Sequence, residues 1–329
     1  MFARIVVLAA VALAWALAPA AAAAPVSIVA AESTYGVIAQ AVGGPYVRVL
    51  SIIRNPDVDP HEFEASPRTA REVAGASIVL MNGLGYDAWM SRMLDANPSP
   101  SRRVIVAAQL VPARLLADGN PHVFYDTRVA DAMAARIETL LTQRDPAHAA
   151  DYAARLREFR RSLAQVDARV ARLRSRFAGL RVTATEPVYG YMLRELGWVS
   201  LGQTLQFNVM NDTEPAPGVV ARYEDDLRQR RVALLFYNRQ VSSPLVRRMR
   251  QVAASAGIPV VGVDEFVGPG MGYAQWLLAS LDAVESALRG RPDCGPATRD
   301  CGSRPPSRCT AICCERWAGP ASGRPSSST

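Results

Sequence analysis

Only three histidines occur in the 329 residues. Two stand in matching surroundings, Asp59-Pro60-His61-Glu62-Phe63-Glu64 and Asn120-Pro121-His122-Val123-Phe124-Tyr125-Asp126. A neutral imidazole nitrogen is the commonest protein donor to a transition metal. A chain so poor in His that repeats a Pro-His step in separate loops is therefore expected to be placing ligands. All five cysteines, Cys294, Cys301, Cys309, Cys313 and Cys314, follow Gly290, so donors from the body of the chain must be nitrogen and oxygen. The acids that leave predicted strand ends are Glu186, Asp264 and Glu265. Glu186 is open to a second reading as a helix cap, because Pro187 suits the first helical position. His148, in Asp145-Pro146-Ala147-His148, is expected in the first turn of a long helix with no metal role. Of the acids around His61, Asp57, Asp59, Glu62 and Glu64, most are expected in solvent, with one available to accept the other ring N–H of a ligand histidine. Asn238 and Gln240 end a predicted strand and are candidates to bond the ligand residues. Tyr86, Trp89, Tyr189, Tyr191 and Trp276 read as core or cleft wall.

The elements that must position these groups alternate β-branched runs with helical patterns, which argues for parallel sheets built from βα units. Strands are expected at 26–31, 47–53, 78–82 and 104–107, then at 181–185, 199–202, 232–237 and 259–263. Helices are expected at 35–42, 67–74, 86–94 and 127–142, with Asp126 as N-cap of the last, then near 188–196, 219–230, 244–256 and 273–289. Residues 146 to about 176 contain no internal Gly or Pro after Pro146, and Leu156, Phe159, Leu163, Val166, Val170 and Leu173 recur at three- and four-residue steps. Such a helix would run roughly 45 Å, enough to brace two lobes. The predicted organisation is a signal peptide at 1–24, an N-terminal α/β lobe at 25–145, a connecting helix at 146–178, a C-terminal α/β lobe at 179–290, and a disordered or non-native Cys/Pro/Ser-rich tail at 291–329.

Ligands of open α/β sheets gather outside the carboxyl ends of the strands. That rule would bring two histidines of one lobe and two carboxylates of the other to a single cleft. At these residues the chain resembles the solute-binding proteins of ABC importers for zinc and manganese. The resemblance covers nearly all of 26–290. It rests on Asn55-Pro56-x-x-Asp59-Pro60-His61-x-Phe63-Glu64, Asn120-Pro121-His122-x-x-Tyr125-Asp126, Thr185-Glu186-Pro187-Val188-Tyr189-Gly190-Tyr191, and Gly262-Val263-Asp264-Glu265 before Tyr273-x-x-Trp276. It implies two lobes joined by one rigid helix and a metal site of His61, His122, Glu186 and a closing carboxylate. Glu265 is expected to be that carboxylate, with Asp264 as the alternative fourth ligand.

The resemblance also implies that the cargo is Zn²⁺ or Mn²⁺, transported rather than catalytic, and that the partner is the permease of a metal importer. Two imidazoles and two carboxylates form a harder site than three imidazoles, which moves preference toward manganese or iron, although zinc outranks manganese in intrinsic affinity. Zinc-dedicated relatives often carry a His-rich loop before the second ligand, and residues 95–119 contain no histidine.

The positive start Met1-Phe2-Ala3-Arg4, the apolar run 5–17 and the alanines to residue 24 read as a secretory signal, with no lipobox cysteine, and point to the periplasm. The net charge of +7 is carried by arginine alone, with no lysine, and no basic and aromatic cluster forms a nucleic-acid footprint. A monomer is expected. The competing readings are an exported zinc metallohydrolase and a two-lobed binder of a siderophore or other organic ligand. Against the first, the chain has no H-E-x-x-H helix and no nucleophile elbow. The second would need an aromatic or arginine-lined cleft that leaves the two histidines apart.

Overall fold

The computed structural model describes residues 24–55 and 63–289. The predicted signal peptide, the Cys-rich tail and His61 lie outside the described residues. Two four-stranded parallel sheets follow one another. The first holds β1 (Val26–Glu32), β2 (Val47–Ile53), β3 (Ile78–Met81) and β4 (Arg103–Val106) in the order β2-β1-β3-β4. With them come α1 (Ser33–Gly43), α2 (Pro67–Ala74), α3 (Ala88–Ala96), α4 (Ala107–Leu110) and α5 (Thr127–Arg144). The long helix α6 (Ala149–Arg176) leads to the second lobe. There β5 (Arg181–Ala184), β6 (Val199–Leu201), β7 (Leu235–Asn238) and β8 (Val260–Val263) lie in the order β6-β5-β7-β8. Its helices are α7 (Gly190–Leu196), α8 (Gln203–Met210), α9 (Pro217–Arg228), α10 (Pro244–Ser255) and α11 (Tyr273–Ala287).

The central strands β1, β3, β5 and β7 are mostly buried on both faces, as the strands of parallel sheets are, and so they read as short apolar runs rather than alternating ones. Helix α6 has 28 residues, about 42 Å of axis. Its buried stripe is Tyr152, Leu156, Phe159, Leu163, Val166, Val170 and Leu173. Each of these stabilises the packed state by roughly 1.5–3 kcal/mol relative to exposure, so a charged residue at Val166 would break the brace. The stripe belongs to one continuous core that includes Ile28 and Leu80 of the first sheet, Phe236 and Val263 of the second, and Phe124, Tyr125, Tyr189 and Trp276 between them.

Local chemistry sets the boundaries. Ser66 caps α2 through its hydroxyl to the Thr69 N–H, and Asp126 caps α5 through the Arg128 N–H, each satisfying a helix-end donor. The predicted helix at 86–94 starts later, at Ala88, because Gly83, Leu84 and Gly85 all have positive φ (84°, 56° and 81°). Two glycines supply that left-handed stretch where side chains would strain it. The strand expected from residue 232 begins at Leu235, the preceding residues being fully buried lead-in chain. Helix α8 was not foreseen, since Leu205 and Gln206 are its only buried residues and it presents no clear apolar face. His148 sits in a 3₁₀ turn just before α6, stacked on Tyr46 and bonded to Asp145.

The two lobes meet along a polar seam. Ser33 Oγ donates to the Val267 carbonyl, Tyr125 to that of Asp264 and Tyr273 to that of Phe124. Asn120 Nδ2 donates to the Pro187 carbonyl at 2.6 Å, and Tyr191 donates to the Asn120 carbonyl at 3.0 Å. Among the described residues no helix is long and apolar enough to cross a membrane.

Candidate metal centre

Each sheet reverses strand order at one crevice, between β1 and β3 in the first lobe and between β5 and β7 in the second. The candidate residues collect at the carboxyl ends bordering these two crevices, where open α/β sheets take ligands. Glu186 stands two residues beyond β5, Asn238 ends β7, and Glu265 stands two residues beyond β8. His122 arrives from the other lobe on the loop before α5, and its side chain is fully buried.

The loop fixes the imidazole. Asn120 Nδ2 is committed to the Pro187 carbonyl, so its Oδ1 faces His122, where it accepts from the backbone N–H at 2.9 Å and lies 2.8 Å from Nδ1. An amide oxygen only accepts, which places the ring proton on Nδ1 and leaves the Nε2 lone pair directed onward. Nε2 lies 3.7 Å from Glu265 Oε2. A histidine whose second nitrogen is tied to an acceptor is a metal-ready histidine. Asn82 holds the same loop by donating to the Pro121 carbonyl at 2.8 Å.

Glu265 is buried and its carboxylate is gripped from two sides. Tyr86 donates to Oε2 at 2.5 Å, and Asn238 Nδ2 donates to Oε1. The same Asn238 amide donates to Glu186 Oε2 at 2.6 Å, so it spans the two acids. The main chain of Glu265 is held by Gln240 Oε1 on its N–H and by the Thr34 hydroxyl on its carbonyl. Burial and the facing Glu265 charge push the Tyr86 hydroxyl well above its usual range, so it stays a neutral donor at any ordinary pH.

These contacts sort the sequence expectations. His122 approaches Glu265, and Asn238 links Glu265 to Glu186, so these three buried side chains lie in one polar cluster. Asp264 turns outward to pair with Arg239 and offers the seam only its backbone carbonyl. Glu186 does not cap the turn that follows it, because no hydrogen bond joins its side chain to that turn. Asn238 and Gln240 bond the candidate ligands as expected. Tyr86, read from sequence as core or cleft wall, is in the core and also donates to Glu265. Among the described residues no three His, Cys, Asp or Glu side chains are gathered closely enough to hold an ion by themselves. The Asn238 amide sits between the two acids.

Sequence reasoning passed over Glu32, Asn82 and Asp87. Glu32 ends β1 and is 1% exposed, Asn82 follows β3 and is fully buried, and Asp87 is 1% exposed and accepts from the Asn82 and Gly83 N–H groups. The available signal was an acid and an amide placed where apolar strands stop. Burial, then the neighbouring Asp87 and Glu265 charges, push the Glu32 carboxyl well up.

Comparisons with known proteins identify the family. The family model described as zinc-uptake complex component A, periplasmic, matches residues 28–287. The iron-binding protein YfeA of Yersinia pestis is 22% identical, covering 69% of this chain and 72% of its own. The zinc-binding protein TroA of Treponema pallidum is 24% identical over 78% of this chain and 87% of its own. In solved structures, TroA superposes with a TM-score of 0.68 at 17% identity, over 80% of this chain and 99% of that one. The solute-binding protein FpvC of Pseudomonas aeruginosa, in complex with Ni²⁺, gives 0.66 at 23% identity, over 80% and 97%. A match across so much of both lobes settles the lineage: the chain belongs to the periplasmic zinc-uptake component A family, the metal-binding proteins of ABC uptake systems, and is not an enzyme.

Proposed function

We propose that this protein captures a divalent cation, Mn²⁺ or Zn²⁺, between its lobes and delivers it to an ABC permease, with His61, His122, Glu186 and Glu265 as ligands. The observation that carries this is the oriented His122 lone pair facing a buried glutamate from the opposite lobe across 3.7 Å. A cation placed there would replace the Asn238 amide as the partner of both acids. It would also offset the cost of holding two carboxylates out of water.

Two imidazoles and two carboxylates suit Mn²⁺ better than a three-histidine set does, while Zn²⁺ competes through intrinsic affinity. Relatives named for iron, zinc and manganese fit a donor set that several divalent ions can use. The brace α6 and the shared core make wide hinge opening costly, so release depends on small movements of the loops around His61 and Glu265. The lobes are bounded at about residues 145 and 179, the protein acts as a monomer, and export uses the N-terminal signal.

Isothermal titration of the purified, metal-stripped protein tests this reading. Binding of Zn²⁺ or Mn²⁺ with Kd below about 10 µM is expected, roughly 7 kcal/mol, and absence of binding by both contradicts it.

A further inference from the structure

The two lobes place the same pair of residues at their crevices. In the second sheet Ala184 lies opposite Phe236. Carrying that register on by two residues sets Glu186 level with Asn238, and the two are hydrogen-bonded. In the first sheet Ala30 lies opposite Leu80, and the same step sets Glu32 level with Asn82. The first lobe therefore repeats the glutamate and asparagine of the second at the equivalent strand ends.

The repeat differs in one respect. Asn82 spends its amide on the carbonyls of Gly83 and Pro121, and its oxygen accepts from Tyr35 at 2.5 Å. Nothing is left for Glu32. Both Glu32 carboxyl oxygens are buried with no hydrogen-bond partner among the described residues. A buried carboxyl in that condition costs several kcal/mol when charged, which a structural role does not explain.

Its neighbours show where it looks. Ser33 and Thr34, the next two residues, bond the carbonyls of Val267 and Glu265 in the opposite lobe, so the end of β1 lies against the segment that carries Glu265. Burial is the main cause of its raised pKa, and Asp87 and Glu265 are the charges that add to it. Glu32 is thus the first lobe's counterpart of Glu186, turned to the same seam and left without a partner.

We infer that Glu32 is a further oxygen donor to the captured cation, and that it biases the site toward hard, six-coordinate ions such as Mn²⁺ over four-coordinate Zn²⁺. The inference rests on the metal-capture reading. A fifth protein donor suits an ion that takes six ligands and adds little for one that closes a tetrahedron.

Competition against a chromophoric chelator, with Mn²⁺ and Zn²⁺ measured separately on the full chain, tests it. Glu32→Gln should lower Mn²⁺ affinity about tenfold or more and Zn²⁺ affinity less than about threefold, while the metal-free protein melts no lower than wild type. An unchanged ratio of the two affinities overturns the inference, and so does a variant that melts lower with both affinities intact. A crystal structure of the Mn²⁺-loaded wild type gives a reading that needs no variant: a Glu32 oxygen within about 2.3 Å of the ion is expected, and one beyond about 4 Å overturns it. Failure of wild type to bind either ion is a separate outcome, contradicting metal capture itself, and the Glu32 assignment falls with it.

Discussion

Two stretches of the same interlobe seam are built on opposite electrostatic plans. At one, Asp126 accepts from Arg114 at 2.9 Å and from Arg194 at 2.6 Å, and Glu195 pairs with Arg114, Arg128 and Arg194. Every acid there faces a guanidinium from the other lobe or its own. At the other, Glu186 and Glu265 accept from the Asn238 amide, Glu265 also accepts from the Tyr86 hydroxyl, and Glu32 adds a third buried acid at the end of β1. Burial alone would raise Glu195, but its bonds to Arg128 and Arg114 outweigh it and hold the carboxyl below its usual range. Burial raises Glu32, and the nearby acids raise it further. The first stretch is closed by charge pairing within the protein. On the proposed reading, the second is completed by a cation from outside.

That contrast can be broken at either end. The largest effect is expected at the imidazole: His122→Ala should weaken Zn²⁺ and Mn²⁺ binding by about a hundredfold or more in titration calorimetry, about 2.7 kcal/mol, because it removes a donor already oriented by Asn120. Glu265→Gln should follow closely, whereas Asp264→Asn should leave affinity within about twofold, since Asp264 pairs with Arg239 away from the pocket.

In the paired stretch, Asp126→Ala should destabilise the metal-free protein by about 2–3 kcal/mol in urea unfolding. It strips the partner from two guanidinium groups and the cap from α5; both arginines are about a quarter exposed, which keeps the loss below that of a fully buried pair. Metal affinity should change little by comparison.

Smaller effects separate the two plans by sign. Glu32→Gln should raise the metal-free protein's stability at pH 7 by about 1 kcal/mol, since it removes an unpaired buried acid. Glu195→Gln should lower it by about 1 kcal/mol or less, given partners that are partly exposed. The pH dependence of Glu195 follows from its depressed pKa. Its contribution is present above the unfolded value of about 4.3 and is lost as pH falls through the lower folded value. The difference between Glu195→Gln and wild type should therefore shrink in acid melts as pH falls below about 4.3 and vanish only once pH lies below the depressed folded value.

The sequence made much of this legible, and for physical reasons. Parallel sheets buried on both faces leave apolar runs, and α6 leaves a seven-residue buried stripe, so the two lobes and their brace could be read directly. His122, Glu186 and Glu265 were legible as candidates because a rare histidine and acids just beyond strand ends stand out. The preference for Glu265 over Asp264 gains its physical support from coordinates: the two neighbouring side chains point to opposite sides, and Asp264 pairs with Arg239. Tyr86 was legible as core, but its bond to Glu265 was not, because a buried aromatic ring and a hydrogen-bond donor look alike in sequence. Glu32 was invisible for a related reason. A single acid at the end of an apolar strand announces nothing until the register shows that it matches Glu186 across the molecule.

The central claim is that one cation joins the lobes at the stretch of the seam that holds His122, Glu186 and Glu265. Calorimetric titration of the metal-stripped protein beside its His122→Ala variant tests it most directly. One ion bound per chain by wild type, with Kd below about 10 µM and a loss of about a hundredfold in the variant, is the predicted result. Equal affinities in the two proteins, or no binding to wild type, would contradict it.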